Sequence, residues 1–406
     1  MKKLARKNGV NRALLPIEGG VCAPQGFKAC GVISGISREG RPDFAMIVSD
    51  KRCPTACIYS TCSQVGVPVA ITKHHLKRSN GLAQAIIVNS GTANVFMDGG
   101  ERLIDEICSY IERKMNISVD ETVIASTGKI GGRLDIKNFE YGVDLMQEKL
   151  TASPEGSLLA AQAIMTTDSY PKQISYSFEL GDYVCKIGGI FKGNVHVGPN
   201  MATTLIFLTT DVNVTPTALQ RALSAVAKDS VNLLSIDGEG SPNDTVCIMA
   251  NGKAGNYVIS EEDSEYQKFV FALRSVLFEI CRKIAADSKD AEKVLLCTVK
   301  GVHSKQLARA LALAVITSYG VKSSFAKGQP NAESVIYTLL GIGVQEGIEN
   351  VSVEVVSSYG RLALFEDGMP ITYGIEHAQT VLSAKEVELS ITFKKGNYTA
   401  TAIGCF

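Results

Sequence analysis

The chain has 406 residues, too many for one ordinary hydrophobic core and enough for two or three. Hydrophobic side chains make up 45% and charged ones 20%, and 41 basic residues balance 41 acidic ones. With no net field to attract nucleic acid or an anionic membrane surface, small-molecule substrates are the expected partners.

The first residues, Met1-Lys-Lys-Leu-Ala-Arg-Lys-Asn, are basic, but no apolar run of the kind a secretory signal needs follows them. Nothing in the sequence reads as a membrane span. Eleven cysteines, an odd number, are scattered through apolar segments, which suggests reduced thiols and a cytoplasmic location. Cys53, Cys57 and Cys62, with His74 and His75 downstream, match no standard zinc spacing, so core thiols are expected and no metal or other cofactor.

Ala83 to Val88 is a near-continuous apolar run bounded by Asn-Ser-Gly-Thr, which predicts a buried strand entering a loop. Ile104, Ile107, Cys108 and Ile111 recur at helical spacing and predict an amphipathic helix over about 100–114. Strand character returns from Thr122 to Ala125 and ends at Ser126-Thr127-Gly128, where a hydroxyl and an unhindered backbone N–H lie close together. Lys192 offers a cation upstream of mid-chain; taken singly, however, a solvated surface charge is the stronger reading of Lys192, and a plain turn that of Thr127-Gly128.

The mid-chain stretch Gly198-Pro-Asn-Met-Ala-Thr-Thr-Leu-Ile-Phe-Leu-Thr-Thr-Asp211 sets Thr203 behind a small residue at the head of an apolar, β-branched run. Cleavage before Thr203 would expose an α-amine with a pKa of about 7.7–8.0, able to act as base for the residue's own hydroxyl. The competing account is that Thr203 and Thr204 are strand formers.

Beyond it, Thr215-Pro216 starts a helix with a capping hydroxyl and a first-turn proline, with Leu219, Leu223 and Val226 as its apolar stripe. Asp237-Gly-Glu-Gly-Ser241 reads as a turn after a strand at Leu233–Ile236. A longer helix is predicted over about 261–286, a strand from Val294 to Val299 and a helix from Gln306 to Ile316. Alternating Val387, Leu389, Ile391 and Phe393, a turn through Lys394–Asn397, and returning Tyr398, Ala400 and Ala402 predict a two-stranded antiparallel ribbon. The expected class is α+β, or α/β with layered sheets, with two halves folded into one shared core.

Several of these segments, in order, resemble the ornithine acetyltransferases, the bifunctional glutamate N-acetyltransferases of the cyclic arginine pathway. The resemblance runs through Gly19-Gly-Val-Cys-Ala-Pro-Gln-Gly-Phe27, Ile47-Val-Ser-Asp50, Ile87-Val-Asn-Ser-Gly-Thr-Ala-Asn94, Ala125-Ser-Thr-Gly128, Ala163-Ile-Met-Thr-Thr-Asp168, Lys192-Gly193, Pro199-Asn-Met-Ala-Thr203 and Asn243-Asp-Thr-Val246. It implies an autoprocessed, N-terminal-nucleophile-type acyltransferase cut between Ala202 and Thr203. The fragments would be 1–202, carrying the oxyanion motif, and 203–406, beginning with the nucleophile. It further implies that Thr127 and the Gly128 N–H form the oxyanion hole, that Thr166 (with Thr167 the second choice) and Lys192 bind substrate, and that two N-terminal and two C-terminal fragments assemble as a heterotetramer. In the family, acetyl passes from N-acetylornithine to glutamate through acyl-threonine.

Three substrate-facing segments depart from the family pattern. Lys289 stands where the family has an acid, so Asp290 would have to take over or the substrate differs. The family's Asp-Pro-Asn-Trp-Gly-Arg is here Gln329-Pro-Asn-Ala-Glu-Ser334, with Pro330 and Asn331 retained, and the sequence stops at Gly404-Cys-Phe406 where the family continues. Two other readings follow: a divergent paralogue using the same threonine on another acylated amino acid, as acyltransferase or amidase, and an uncleaved non-catalytic homologue.

Overall fold

A computed structural model describes residues 14–37, 39–131, 135–199, 204–289, 291–343 and 348–406. Two compact units emerge, each discontinuous in sequence. One takes the chain up to Gly193, a stretch ending at Val226, and Ser241–Val276; the other takes Leu277–Phe406 with Ala227–Gly240 and a stretch beginning at Asn194.

Strands β1 (Leu15–Pro16), β2 (Phe27–Val32) and β3 (Phe44–Tyr59) open the first unit, followed by α1 (Val67–Arg78), β4 (Leu82–Thr92), α2 (Gly100–Met115) and β5 (Thr122–Lys129). Helices α3 (Ile136–Lys149) and α4 (Pro154–Ala163) lead to β6 (Lys172–Leu180), β7 (Tyr183–Lys192), β8 (Leu205–Thr210), α5 (Pro216–Ala227) and β9 (Thr245–Ala250). Their sheet runs β1-β6-β7-β8-β9-β3-β4-β5, with β2 also on β3. The long strand β3 serves both halves: Phe44–Val48 pairs with β2 and β4, while Thr55–Tyr59 pairs with β9.

Burial on both faces explains why these strands read as apolar runs rather than clean alternations. Along β4, Ile86 and Val88 join a central core with Ala160, Ala161 and Ala163 of α4 and Phe207 of β8. Ala85 and Ile87 point the other way, onto Ile71 of α1, Ile104 and Ile111 of α2 and Phe139 of α3. The predicted apolar stripe of α2 is buried as expected, and that of α5 likewise, with the Thr215 hydroxyl accepting from the Ala218 amide at 3.3 Å. Helix α6 (Ser264–Ala286) buries Tyr266, Phe269, Val270, Leu273, Leu277 and Ile280.

The second unit contains β10 (Val294–Val302), α7 (Lys305–Thr317), α8 (Tyr319–Ala326), α9 (Ala332–Gly341), β11 (Ser352–Ser357), β12 (Gly360–Glu366), β13 (Met369–Pro370), α10 (Ile375–Leu382), β14 (Glu386–Thr392) and β15 (Tyr398–Cys405). The sheet order is β13-β12-β11-β14-β10-β15. Leu295, Cys297 and Val299 share one face with Val353, Val355, Leu389, Ile391 and Ala402, and helices α7–α10 cover it. The opposite face is polar, with Thr298 against Thr401 at 3.1 Å and Lys300 donating to Ser390 at 3.2 Å.

This order overturns the predicted C-terminal ribbon, because β14 and β15 do not pair with each other. Strand β10 lies between them, parallel to β14 and antiparallel to β15. The alternation of β14 and β15 correctly identifies two one-sided strands but cannot say what each pairs with. Inserting β10 gives it hydrogen-bonding neighbours on both sides, which removes an exposed edge and extends the apolar face. A second correction concerns Leu233–Ile236: a short 3-10 turn at Val231–Leu233 is followed by a single bridge from Leu234 to Ile403 rather than a strand.

Candidate active site

Strands β4 and β5 run parallel, Ser90 opposite Thr127 and Gly91 opposite Gly128, and their register breaks just beyond. Both glycines lie in the left-handed region, φ +117° and +127°. A Cβ on Gly128 would come within 2.5 Å of the Gly91 carbonyl carbon, so backbone meets backbone here and only glycine fits. Beneath this contact is a buried polar triangle. Ser126 donates to the Asn89 side-chain carbonyl at 2.6 Å, Asn94 donates to the Ser126 hydroxyl at 2.8 Å, and the Asn89 amide donates to the Thr92 carbonyl at 3.0 Å. These bonds hold the end of β5 in place and present Thr127 near its tip, while the Asn94 side-chain carbonyl has no partner among the described residues.

Lys192 ends β7, paired with Leu205 at the start of β8. Its phase along the strand places it on the same side as Ile190, toward the central core, and only 3% of it is exposed. The ammonium donates to the Thr127 hydroxyl at 3.4 Å. Burial pulls its pKa below the usual lysine value and outweighs the attraction of Asp168 and Asp244.

Asp168 organises the neighbouring segments. One carboxylate oxygen accepts from Lys172 Nζ at 2.6 Å and from the Gly193 amide at 2.8 Å, and the other accepts from the Thr166 amide at 3.1 Å. Burial pushes its pKa up, but Lys192, Lys172 and the Gly193 N–H together more than reverse that, and it ends below the ordinary carboxylate value. Asp244, just before β9, goes the opposite way: burial holds its pKa well above the ordinary value despite the Thr204 amide, 2.7 Å away, and Lys192.

The fold therefore unites two of the expected residues, Thr127 and Lys192, and brings Thr166 to the same cluster through its backbone, whereas Thr167 is exposed. Thr203, Ala202 and Asp290 lie outside the described residues. In the second unit Lys289 is exposed, while Asp287 in the same segment is buried. The retained Pro330-Asn331 pair holds local structure together. The Asn331 side chain caps α9 by accepting from the Ser334 amide at 3.1 Å, and the Pro330 carbonyl accepts from Tyr373. Phe406 stacks edge-on against Phe325 and exchanges backbone hydrogen bonds with Lys293.

Sequence reading missed Asp168, Lys172 and Asp244 as site components. A signal existed for Lys172, which keeps the inward phase of Ile174, Tyr176 and Phe178 along β6. The cysteines are unpaired thiols, and among the described residues no three His, Cys, Asp or Glu side chains converge as a metal-holding group. No described helix is long and apolar enough to cross a membrane.

The ArgJ family profile matches residues 28–406. The chain belongs to the ArgJ family. An arginine biosynthesis bifunctional protein ArgJ of Symbiobacterium thermophilum is 35% identical over 392 residues, 96% of each chain. A glutamate N-acetyltransferase of Methanocaldococcus jannaschii is 33% identical over 396 residues, again 96% of each chain. Among solved structures, an ArgJ chain of Bacillus halodurans is 28% identical, with a TM-score of 0.46 over 49% of this chain and 92% of that one.

Proposed function

We propose that this ArgJ-family protein is an autoprocessing acyltransferase of arginine biosynthesis that moves acetyl from N-acetylornithine to glutamate. The observation that carries the reading is the buried contact of Lys192 with the Thr127 hydroxyl, where β7 turns over into β8 beside the Gly91–Gly128 pair. A buried ammonium next to a hydroxyl and a glycine-lined strand end is suited to receive a carboxylated substrate and to stabilise the negative oxygen of a tetrahedral intermediate.

The Thr203 hydroxyl attacks the Ala202 carbonyl, the amide becomes an ester, and water releases fragments 1–202 and 203–406. The new α-amine then serves as base while Thr203 accepts acetyl from the donor and delivers it to glutamate, a ping-pong course. Thr127 and the Gly128 N–H hold the oxyanion; Thr166 and Lys192 bind the substrate. Two copies of each fragment form a heterotetramer in the cytoplasm.

Intact-mass analysis tests the cut: two fragments meeting at Ala202/Thr203 support it, one whole chain of 43.4 kDa supports the non-catalytic alternative, and Thr203→Ala should leave the chain whole. Incubation with N-acetylornithine, with and without glutamate, tests the chemistry, and absence of acetylglutamate in a cut enzyme overturns the substrate assignment. A second reading, the same nucleophile acting on another acylated amino acid, is favoured by Lys289, an exposed cation where the family has an acid.

A further inference from the structure

The sheet face that carries Lys192 carries a second cation at the same strand ends. Ile86 and Val88 of β4, Val123 and Ala125 of β5 and Ile190 of β7 point into the central core, so the two-residue phase of a strand puts Ser90, Thr127 and Lys192 on that face too. Ser90 stands opposite Thr127 in the parallel register of β4 and β5, about 4.8 Å away across the ladder. Lys192 donates to the Thr127 hydroxyl at 3.4 Å, and Arg41, from the chain just before β3, donates through Nη1 to the Ser90 hydroxyl, also at 3.4 Å. Two cations from separate elements therefore end on neighbouring hydroxyls.

The guanidinium of Arg41 is only partly committed. Nη1 also donates to the Met165 carbonyl at 2.7 Å and to the Pro42 carbonyl at 3.4 Å, and Nε donates to the exposed Glu39 at 2.7 Å, whereas Nη2 donates to no described residue. Ser90 in turn donates to the Ala163 carbonyl at 2.7 Å, so Arg41 and Ser90 together fasten the segment that leads to Thr166. The mount is firm. Asp43, 0% exposed, accepts from the Ser34 amide and hydroxyl at 2.7 and 2.8 Å and from the Ser37 amide at 2.7 Å, and its own carbonyl accepts from the Ser90 amide at 2.8 Å. The Arg41 side chain nevertheless remains 28% exposed, within reach of a ligand.

Lys192 is short of negative charge in this setting. Burial, the largest influence, lowers its pKa, and Lys172 and Arg41 push the same way against the attraction of Asp168 and Asp244. Asp168 is already paired with Lys172, and burial biases Asp244 toward its protonated form. An arriving carboxylate would supply the missing counter-charge to Lys192 and to the open end of Arg41 at once. We propose that Arg41 is a carboxylate-specificity residue of the acyl-transfer site, its Nη2 sharing the α-carboxylate of the acylated amino-acid donor with Lys192 while its Nη1 holds the Thr166 segment in place. The inference rests on the acyltransferase reading above. A planar guanidinium suits both tasks, since its fork can bond a carbonyl with one arm and a carboxylate with the other.

The test measures acetyl transfer to glutamate by the full chain, from N-acetylornithine and from the carboxamide of the same donor. Wild-type protein that transfers acetyl from N-acetylornithine establishes the parent reading; wild-type protein that does not removes that reading and the inference with it. Given an active parent, the wild type should prefer the acid to the amide in kcat/KM, and a parent that treats them alike overturns the inference. Arg41→Ala should raise the KM for N-acetylornithine about tenfold or more with a much smaller change in kcat, and should lower the acid-to-amide ratio by about the same factor. Equal losses on acid and amide, leaving the ratio at its wild-type value, would mark a merely structural role and overturn the inference, as would unchanged kinetics. If Arg41→Ala does not fold or stays inactive, Arg41→Gln decides, because it keeps an N–H for the Met165 carbonyl and removes the charge: a reduced ratio supports the role, and an unchanged ratio overturns it.

Discussion

The two units treat charge differently. In the second unit the described ion pairs keep contact with solvent: Arg361–Glu354 and Lys394–Asp367 have both partners well exposed, and Arg282 with Glu386 and Arg309 with Asp229 are partly so. In the first unit Lys172–Asp168 has side-chain exposures of 0% and 1%, and Lys192 and Asp244 are buried beside them. Desolvating such groups is expensive, and well-packed apolar residues would often serve stability as well or better. The second unit behaves like an ordinary one-sided sheet under helices. The first sacrifices stability at its strand ends, and that marks where chemistry is expected.

Four substitutions put this contrast to the test. The largest effect is expected from Asp168→Asn, which strands Lys172 in the core and should cost about 3–5 kcal/mol in urea unfolding. The pH dependence has a definite sign. Because the folded pKa of Asp168 is lowered, its stabilisation is present above the free carboxyl value of about 3.9 and is lost as pH falls through the lower folded value. Next, Thr127→Val keeps the shape but removes the hydroxyl that faces Lys192, and should cost about 2.7–4 kcal/mol of transition-state stabilisation in kcat with little change in melting temperature. A smaller effect of opposite sign is expected for Asp244→Asn, which should raise the melting temperature at neutral pH. The raised folded pKa of Asp244 means that ionisation works against the fold, an effect relieved as pH falls through that folded value. Smallest is Arg361→Ala in the second unit, expected within about 0.5 kcal/mol of wild type by the same unfolding measurement.

Periodicity located most of the elements, because burial of one helical stripe, as in α2, or of both strand faces, as in β4, leaves a local trace. Partner choice leaves none: β14 and β15 alternate identically whether they face each other or flank β10. The site divides along the same line. Thr127, Gly128 and Lys192 were reachable through motif order, and the inward phase of Lys192 and Lys172 was visible in principle. Asp168 and Asp244 stand inside motifs with nothing to show what they do, since a carboxylate in a sequence looks the same whether it is solvated or buried. Only folding brings Gly193, Thr166 and Lys172 onto one of them and Thr204 onto the other.

The placement of β8 and β9 between β7 and β3 has a practical consequence. Strands from after residue 203 are threaded between strands from before it, joined by backbone ladders on both flanks. A break of the main chain at that point would free an end without freeing a piece. Denaturing electrophoresis would separate two bands from an object that still migrates as one under native conditions, and mixing separately purified pieces would have to rebuild the sheet from its middle.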